Sequence, residues 1–134
     1  MFVLDTNTLV YFFRGQGQVG KRLLATSPAA LSIPTVVVYE LETGIAKSTD
    51  PVKRRGQLEQ LLRAVTVLPF GLDDAKAAAA VRARLEADGT PIGPIDTLIA
   101  GTALANRRVL VTRNVSEYGR VPGLVVADWY GHAE

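Results

Sequence analysis

The chain has 134 residues, 48 % of them hydrophobic, and a formal charge of +2 from 15 basic and 13 acidic side chains. That is one domain, 1–134, with a core that needs neither disulfide nor structural metal. Cysteine is absent, which excludes a disulfide framework, thiolate zinc and thiol catalysis and suits a reducing cytoplasm.

No basic leader precedes the opening apolar run, which Asp5 interrupts, and the longest uncharged stretch, 23–39, is broken by Pro28 and Pro34. Neither a signal peptide nor a membrane span is expected. The basic residues fall in small clusters, Lys53-Arg54-Arg55, Arg82 with Arg84, and Arg107-Arg108. Solvated faces explain them, and they also permit a polyanionic substrate.

In chain order, a short apolar run at 2–4 reads as a strand, followed by a helix to about residue 14 and a turn at Gly15-Gln16-Gly17. A strand at 30–33 precedes helices at 35–46 and 51–63. A strand at 65–68 leads to a long helix over 73–88. A loop, Gly89-Thr90-Pro91-Ile92-Gly93-Pro94, opens a helix at 95–106, and strands follow at 109–111 and 124–126 with a loop and short turn between them. Strands alternating with helices predict a parallel α/β/α sandwich. Ligands of such sheets bind outside the carboxyl ends of the strands, where strand order reverses.

Three acids stand out because each lies beside or inside an apolar stretch: Asp5 after Met1-Phe2-Val3-Leu4, Glu40 after Val36-Val37-Val38-Tyr39, and Asp96 within Ile95-Asp96-Thr97-Leu98-Ile99-Ala100. Ionised carboxylates are costly to bury unless paired or bound to a metal. Each also has a plainer reading. Asp5 is well placed as a helix N-cap, and Asp96 as a first-turn acid favoured by the helix dipole.

Glu40 and Glu42 both flank the apolar face of their helix, so periodicity does not choose between them. Gly44, one turn beyond Glu40, lowers helix propensity, which a close approach of backbone or ligand would explain. Glu59, Asp73, Asp74, Glu86 and Asp88 sit among polar neighbours and read as surface acids, Asp73 also as a helix start.

The single histidine, His132, lies at the end of the chain and reads as a mobile tail residue. Ser-His-Asp and HExxH schemes are therefore excluded, and no phosphate-cradling glycine loop is present. Hard oxygen ligands without His or Cys suit Mg²⁺ or Mn²⁺.

These stretches together resemble the PIN-domain ribonucleases, and specifically the VapC toxins of bacterial toxin–antitoxin pairs. The likeness is carried by Leu4-Asp5-Thr6-Asn7, Glu40-Leu41-Glu42-Thr43-Gly44, Gly93-Pro94-Ile95-Asp96-Thr97-Leu98-Ile99-Ala100, Val111-Thr112-Arg113-Asn114 and Val121-Pro122-Gly123-Leu124. Each motif alone is weak, but their order and spacing are specific.

The resemblance implies an acidic constellation of Asp5, Glu40 and Asp96, the Glu-Leu-x-x-Gly form selecting Glu40 over Glu42. It implies Asn114 as an orienting hydrogen-bonder near the first two acids, with Thr112 and Asn7 in support. Where the family often has Asp three residues after that Asn, this chain has Glu117, one methylene longer.

The implied activity is endoribonuclease cleavage with Mg²⁺ or Mn²⁺. Asp5 and Asp96 would hold the principal ion, and Glu40 would ligate it or position the attacking water. The closing segments resemble the branch that cuts initiator tRNA in the anticodon loop. The implied partners are RNA and a VapB-type antitoxin that covers an apolar groove and directs an Arg into the acids. A homodimer on apolar helix surface including Leu9, Tyr11 and Phe12 is expected, with a heterotetramer or larger in the antitoxin complex and operator DNA met only through the antitoxin. Two alternatives stand beside this. A dehalogenase-like phosphohydrolase would need a second Asp where this chain has Asn7, and a non-catalytic PIN scaffold would typically have lost the acids.

Overall fold

In the computed structural model, residues 1–131 are described; the expectation for His132 falls outside them. Five short strands, β1 (Phe2–Leu4), β2 (Leu31–Pro34), β3 (Thr66–Leu68), β4 (Val109–Val111) and β5 (Val126–Ala127), form one sheet in the order β3-β2-β1-β4-β5. Every pairing is parallel. Helices α1 (Thr6–Arg14), α2 (Val19–Leu24), α3 (Thr35–Ala46), α4 (Pro51–Ala64), α5 (Leu72–Ala87), α6 (Pro94–Ala105) and α7 (Val115–Tyr118) flank it, as the α/β/α reading expects. Among the described residues no helix is long and apolar enough to cross a membrane.

Parallel strands covered by helices on both faces are apolar throughout instead of alternating, and Val3, Leu4, Ile33, Leu110 and Val111 are all fully buried. The buried side of α6, with Ile99, Ala100 and Ala103, and that of α3, with Val37 and Leu41, complete the core. Burying each large apolar side chain stabilises by about 1.5–3 kcal/mol. Helix α6 lies so close to α5 that a Cβ on Gly101 would sit 2.5 Å from the backbone nitrogen of Ala78.

Chain order runs outward from β1 through β2 to β3, then crosses to β4 and β5 on the other side. The reversal lies between β1 and β4, whose last residues, Leu4 and Val111, are in register. A cleft is expected at that point.

Several local expectations need correction. Helix α2 was missed, because six residues containing Gly20, Lys21 and Arg22 carry little periodic signal, and packing of Val19 and Leu23 decides it. The turn after β4 is the short helix α7, and the last strand is Val126–Ala127, not 124–126. Asp74 is buried rather than exposed, accepting from the Gly71 N–H at 2.7 Å and from Asn106 Nδ2 at 3.2 Å. Leu9 is fully buried in the chain's own core, so it offers nothing to a second subunit.

Candidate active site

Asp5 follows β1 and begins α1. Its Oδ1 accepts the Thr8 N–H at 2.8 Å, and its own N–H donates to the Val111 carbonyl at 3.2 Å. The N-cap reading is therefore correct and compatible with a site role, because capping fixes the carboxylate at the switch point. The residue is only 4 % exposed. Burial pushes its carboxyl above the ordinary range, the Glu40 charge adds to the push, and the Thr112 and Thr8 hydrogen bonds oppose it.

Asp96 enters from α6. Its helix begins at Gly93 and Pro94, the latter fitting a first-turn position where no N–H is needed. A Cβ on Gly93 would stand 3.2 Å from Asp96 Oδ2, so glycine leaves that oxygen room. Tyr118 donates its hydroxyl to Asp96 Oδ1 at 3.0 Å. Partial burial raises the Asp96 carboxyl, the charges of Glu117, Glu40 and Asp5 raise it further, and the Tyr118 hydrogen bond opposes them.

Glu40 lies in the second turn of α3, where the Thr6 hydroxyl donates to its Oε1. Glu42 instead pairs with Arg55 at 3.2 Å, both side chains nearly half exposed. Of the two acids that periodicity leaves tied, Glu40 is the one that lines the pocket with Asp5 and Asp96, and Thr6, next to Asp5, reaches it. The expectation for Gly44 needs amending, since a Cβ there would meet nothing within 4 Å. No backbone approaches it; open groove does.

Asp5, Asn7, Glu40, Asp96 and Asn114 line one pocket, together with Thr6 and Tyr118. Asn114 donates through Nδ2 to Glu117 Oε2 at 2.7 Å, so its direct partner is the fourth acid and not Asp5 or Asp96. The buried Thr112 hydroxyl accepts the Asn114 N–H at 3.0 Å and, from beside Asp5, favours its ionised form. Asn7 is exposed at the rim.

Sequence reasoning passed over Thr6 and Tyr118 as site residues. Their signals were the threonine directly after Asp5 and the aromatic directly after Glu117.

The donor set is oxygen only, and two of its carboxyls are raised partly by like charge, which suits a hard divalent cation. Among the described residues no three such side chains are already placed to hold an ion together. The acids line the pocket without closing into a cage.

A PIN domain family model matches residues 2–122. The chain belongs to the PIN-domain family. It is 31 % identical over 128 residues to the tRNA(fMet)-specific endonuclease VapC of Salmonella typhimurium, covering 96 % of this chain and 97 % of that one. It is 29 % identical over 131 residues to ribonuclease VapC2 of Rickettsia felis, covering 96 % and 98 %.

Among solved structures, DNA-bound VapBC from Salmonella typhimurium matches this PIN domain with a TM-score of 0.89 at 32 % identity, covering 96 % of this chain and 97 % of that one. VapBC2 from Rickettsia felis, bound to a promoter DNA fragment, matches with 0.88 at 28 %, covering 96 % and 98 %. The dehalogenase-like alternative finds no support in these likenesses.

Proposed function

We propose that this PIN domain is the toxin of a VapBC-type pair, a cytoplasmic endoribonuclease that uses Mg²⁺ or Mn²⁺ to cleave structured RNA, with initiator tRNA cut in its anticodon loop. The observation that carries this reading is the gathering of Asp5, Glu40, Asp96 and Asn114 in one pocket at the β1/β4 switch point. The name of the Salmonella relative supports the tRNA substrate.

Asp5 and Asp96 would hold the ion, with Glu40 beside them. Bound there, the ion would lower the pKa of a coordinated water and offset charge developing on the phosphate. The protein's own part is to fix the acids before substrate arrives. Thr8 holds Asp5, Thr6 holds Glu40, Tyr118 holds Asp96 and Asn114 holds Glu117. Such prior positioning removes ordering cost from the reaction.

A VapB-type antitoxin is the proposed partner. The similar Salmonella typhimurium and Rickettsia felis structures are VapBC assemblies on DNA, and an apolar groove over Val10, Phe13, Leu41 and Ile45 runs beside Glu40. A basic side chain of the antitoxin, most simply Arg, would enter the acids in place of the cation. Operator DNA would be met only through the antitoxin. The working toxin would be a homodimer, with a heterotetramer or larger in the complex. Of the three residues expected there, Phe12, partly buried, remains the candidate for the dimer surface: Leu9 is buried in the chain's own core and Tyr11 packs on Tyr130 of the same chain.

The test is incubation of the purified chain with initiator tRNA in Mg²⁺ or Mn²⁺ and in chelator. Cleavage should require the ion and disappear in Asp96→Asn. Cleavage that survives chelation, or that Asp96→Asn performs at full rate, refutes the reading. No cleavage of any RNA under any of these ions would favour the non-catalytic scaffold.

A further inference from the structure

Beside the acid pocket lies a feature that the cleavage chemistry does not use. The guanidinium of Arg113 sits 3.6 Å from the ring centroid of Tyr130 and 5.5 Å from that of Tyr11. The two rings meet edge to face at 4.8 Å. Arg113 leaves the end of β4, Tyr130 follows β5, and Tyr11 lies in α1, so three elements build the stack. It stands at the carboxyl edge of the sheet, one strand beyond the acids.

Its distance from the pocket is short on two routes. Arg113 directly precedes Asn114, and Tyr11 lies one helical turn beyond Asn7, about 5–6 Å along the same face of α1; Asn114 and Asn7 both line the pocket.

A staple for the C-terminal segment would not need the cation. Tyr130 is already tied by its carbonyl, which accepts the Gln18 N–H at 2.9 Å, and by its own N–H to Asp128 at 2.8 Å. Its ring also covers Gly17, where a Cβ would lie 2.8 Å from it. Arg113 is exposed, and among the described residues its guanidinium pairs with no carboxylate; the ion pairs belong to Arg55, Arg82 and Arg84. A guanidinium seated over an aromatic ring, with no carboxylate partner among the described residues, presents a stacking surface and N–H donors together.

Resting on the RNA reading above, we propose that Tyr11, Arg113 and Tyr130 form a nucleotide-binding subsite. One unpaired base of the RNA stacks on the platform, and the Arg113 edge takes an adjacent phosphate. Single-stranded RNA is commonly bound by this pairing of aromatic or guanidinium faces with backbone cations. The need is electrostatic. Asp5, Glu40, Asp96 and Glu117 repel the backbone they are to cut, so attraction must come from beside the pocket. Arg113 is placed to supply it, and the platform would select an unpaired base near the cleaved bond.

The test uses the purified full chain with unfractionated bacterial tRNA, then the anticodon stem-loop of whichever species it cuts. Arg113→Gln should raise KM for the stem-loop about tenfold or more, in line with the worth of one stacked base, with kcat within about twofold. Tyr130→Phe should retain wild-type KM, and Tyr130→Leu should lose it. In Asp96→Asn, which binds without cutting, an abasic scan of the loop should find one position where base removal weakens binding. That position should have no effect once Arg113→Gln is added.

Unchanged KM in Arg113→Gln, or an abasic profile that Arg113→Gln leaves unaltered, overturns the subsite. If those variants instead lose only antitoxin affinity, the surface belongs to the protein partner and the proposal is equally overturned. A wild-type chain that neither binds nor cuts any of these RNAs refutes the nuclease reading itself, and the subsite falls with it.

Discussion

Tyr118 donates its phenolic hydroxyl to Asp96 Oδ1 at 3.0 Å, tying the short helix α7 to the first turn of α6 across 22 residues of sequence. Burial holds the phenol proton far more tightly than usual, and the Asp96, Asp5 and Glu40 charges add to this. Tyr118 is therefore a permanent neutral donor. It steadies an acid without cancelling the charge that a cation would need.

Tyr118→Phe preserves a ring that is 2 % exposed and removes only the hydrogen bond. Because the acceptor is charged, the loss should be about 1–2 kcal/mol, at the lower end of such bonds because Asp96 is partly solvated. The same bond lowers the Asp96 carboxyl, so its removal should move the acid limb of the cleavage profile to higher pH. Urea unfolding and a pH–rate profile check both, and an unmoved acid limb would separate Tyr118 from Asp96.

Asp5→Asn should stabilise the metal-free protein at neutral pH. Its folded carboxyl is raised above the ordinary value of 3.8, so between those two values the folded state binds more protons than the unfolded one. Stability from this group is then complete below 3.8 and lost as pH rises through the raised folded value. At pH 7 the ionised carboxylate opposes folding, whereas Asn also serves as an N-cap and keeps the Thr8 bond. The advantage of the variant should shrink as pH falls toward 4. Urea titrations in chelator at pH 7 and pH 4 measure it, and a variant less stable than wild type at pH 7 contradicts the argument. Cleavage should be lost at either pH.

Glu40→Gln should reduce cleavage by about a hundredfold or more, in the range seen when a group acting on the reacting water is removed. Glu42→Gln should leave the rate within about twofold. Its exposed pair with Arg55 should cost less than about 1 kcal/mol. Glu117→Gln should fall between them, since Glu117 touches the site through Asn114 and the field on Asp96. Equal rates for the Glu40 and Glu42 variants would remove Glu40 from the machinery.

What the sequence made legible follows from where its signals are local. Asp5, Glu40 and Asp96 could be picked out because an acid embedded in apolar residues is conspicuous in one dimension, and the alternation of strands and helices implies a sheet edge at which they meet. The choice of Glu40 over Glu42 was not local. Thr6 of a different helix reaches Glu40 while Glu42 pairs with Arg55, and in the sequence only the resemblance favours Glu40. Asp74 was misread because its partners, Gly71 and Asn106, include one 32 residues away. Helix α2 was missed because its six residues are held by what they pack on. The Arg113 stack joins residues 11, 113 and 130, a grouping that no spacing rule contains.

Two glycines make opposite predictions. Gly101 lies in α6 against α5, where a Cβ would stand 2.5 Å from Ala78 N and 2.6 Å from its Cα. These are backbone atoms that cannot swing aside, so Gly101→Ala must push the helices apart and should cost about 1–3 kcal/mol, as overpacking typically does. Since α6 carries Asp96 at its start, the displacement should also lower cleavage at a temperature where the variant is still folded. Gly44 is in a helix with nothing within 4 Å of its missing Cβ, so Gly44→Ala should stabilise by up to about 1 kcal/mol through helix propensity. It borders the apolar groove beside Glu40, and the added methyl should alter antitoxin affinity more than cleavage by the free chain. Thermal melts of the two variants side by side read the contrast. If Gly101→Ala melts with wild type, the close crossing of α5 and α6 does not constrain the position of Asp96.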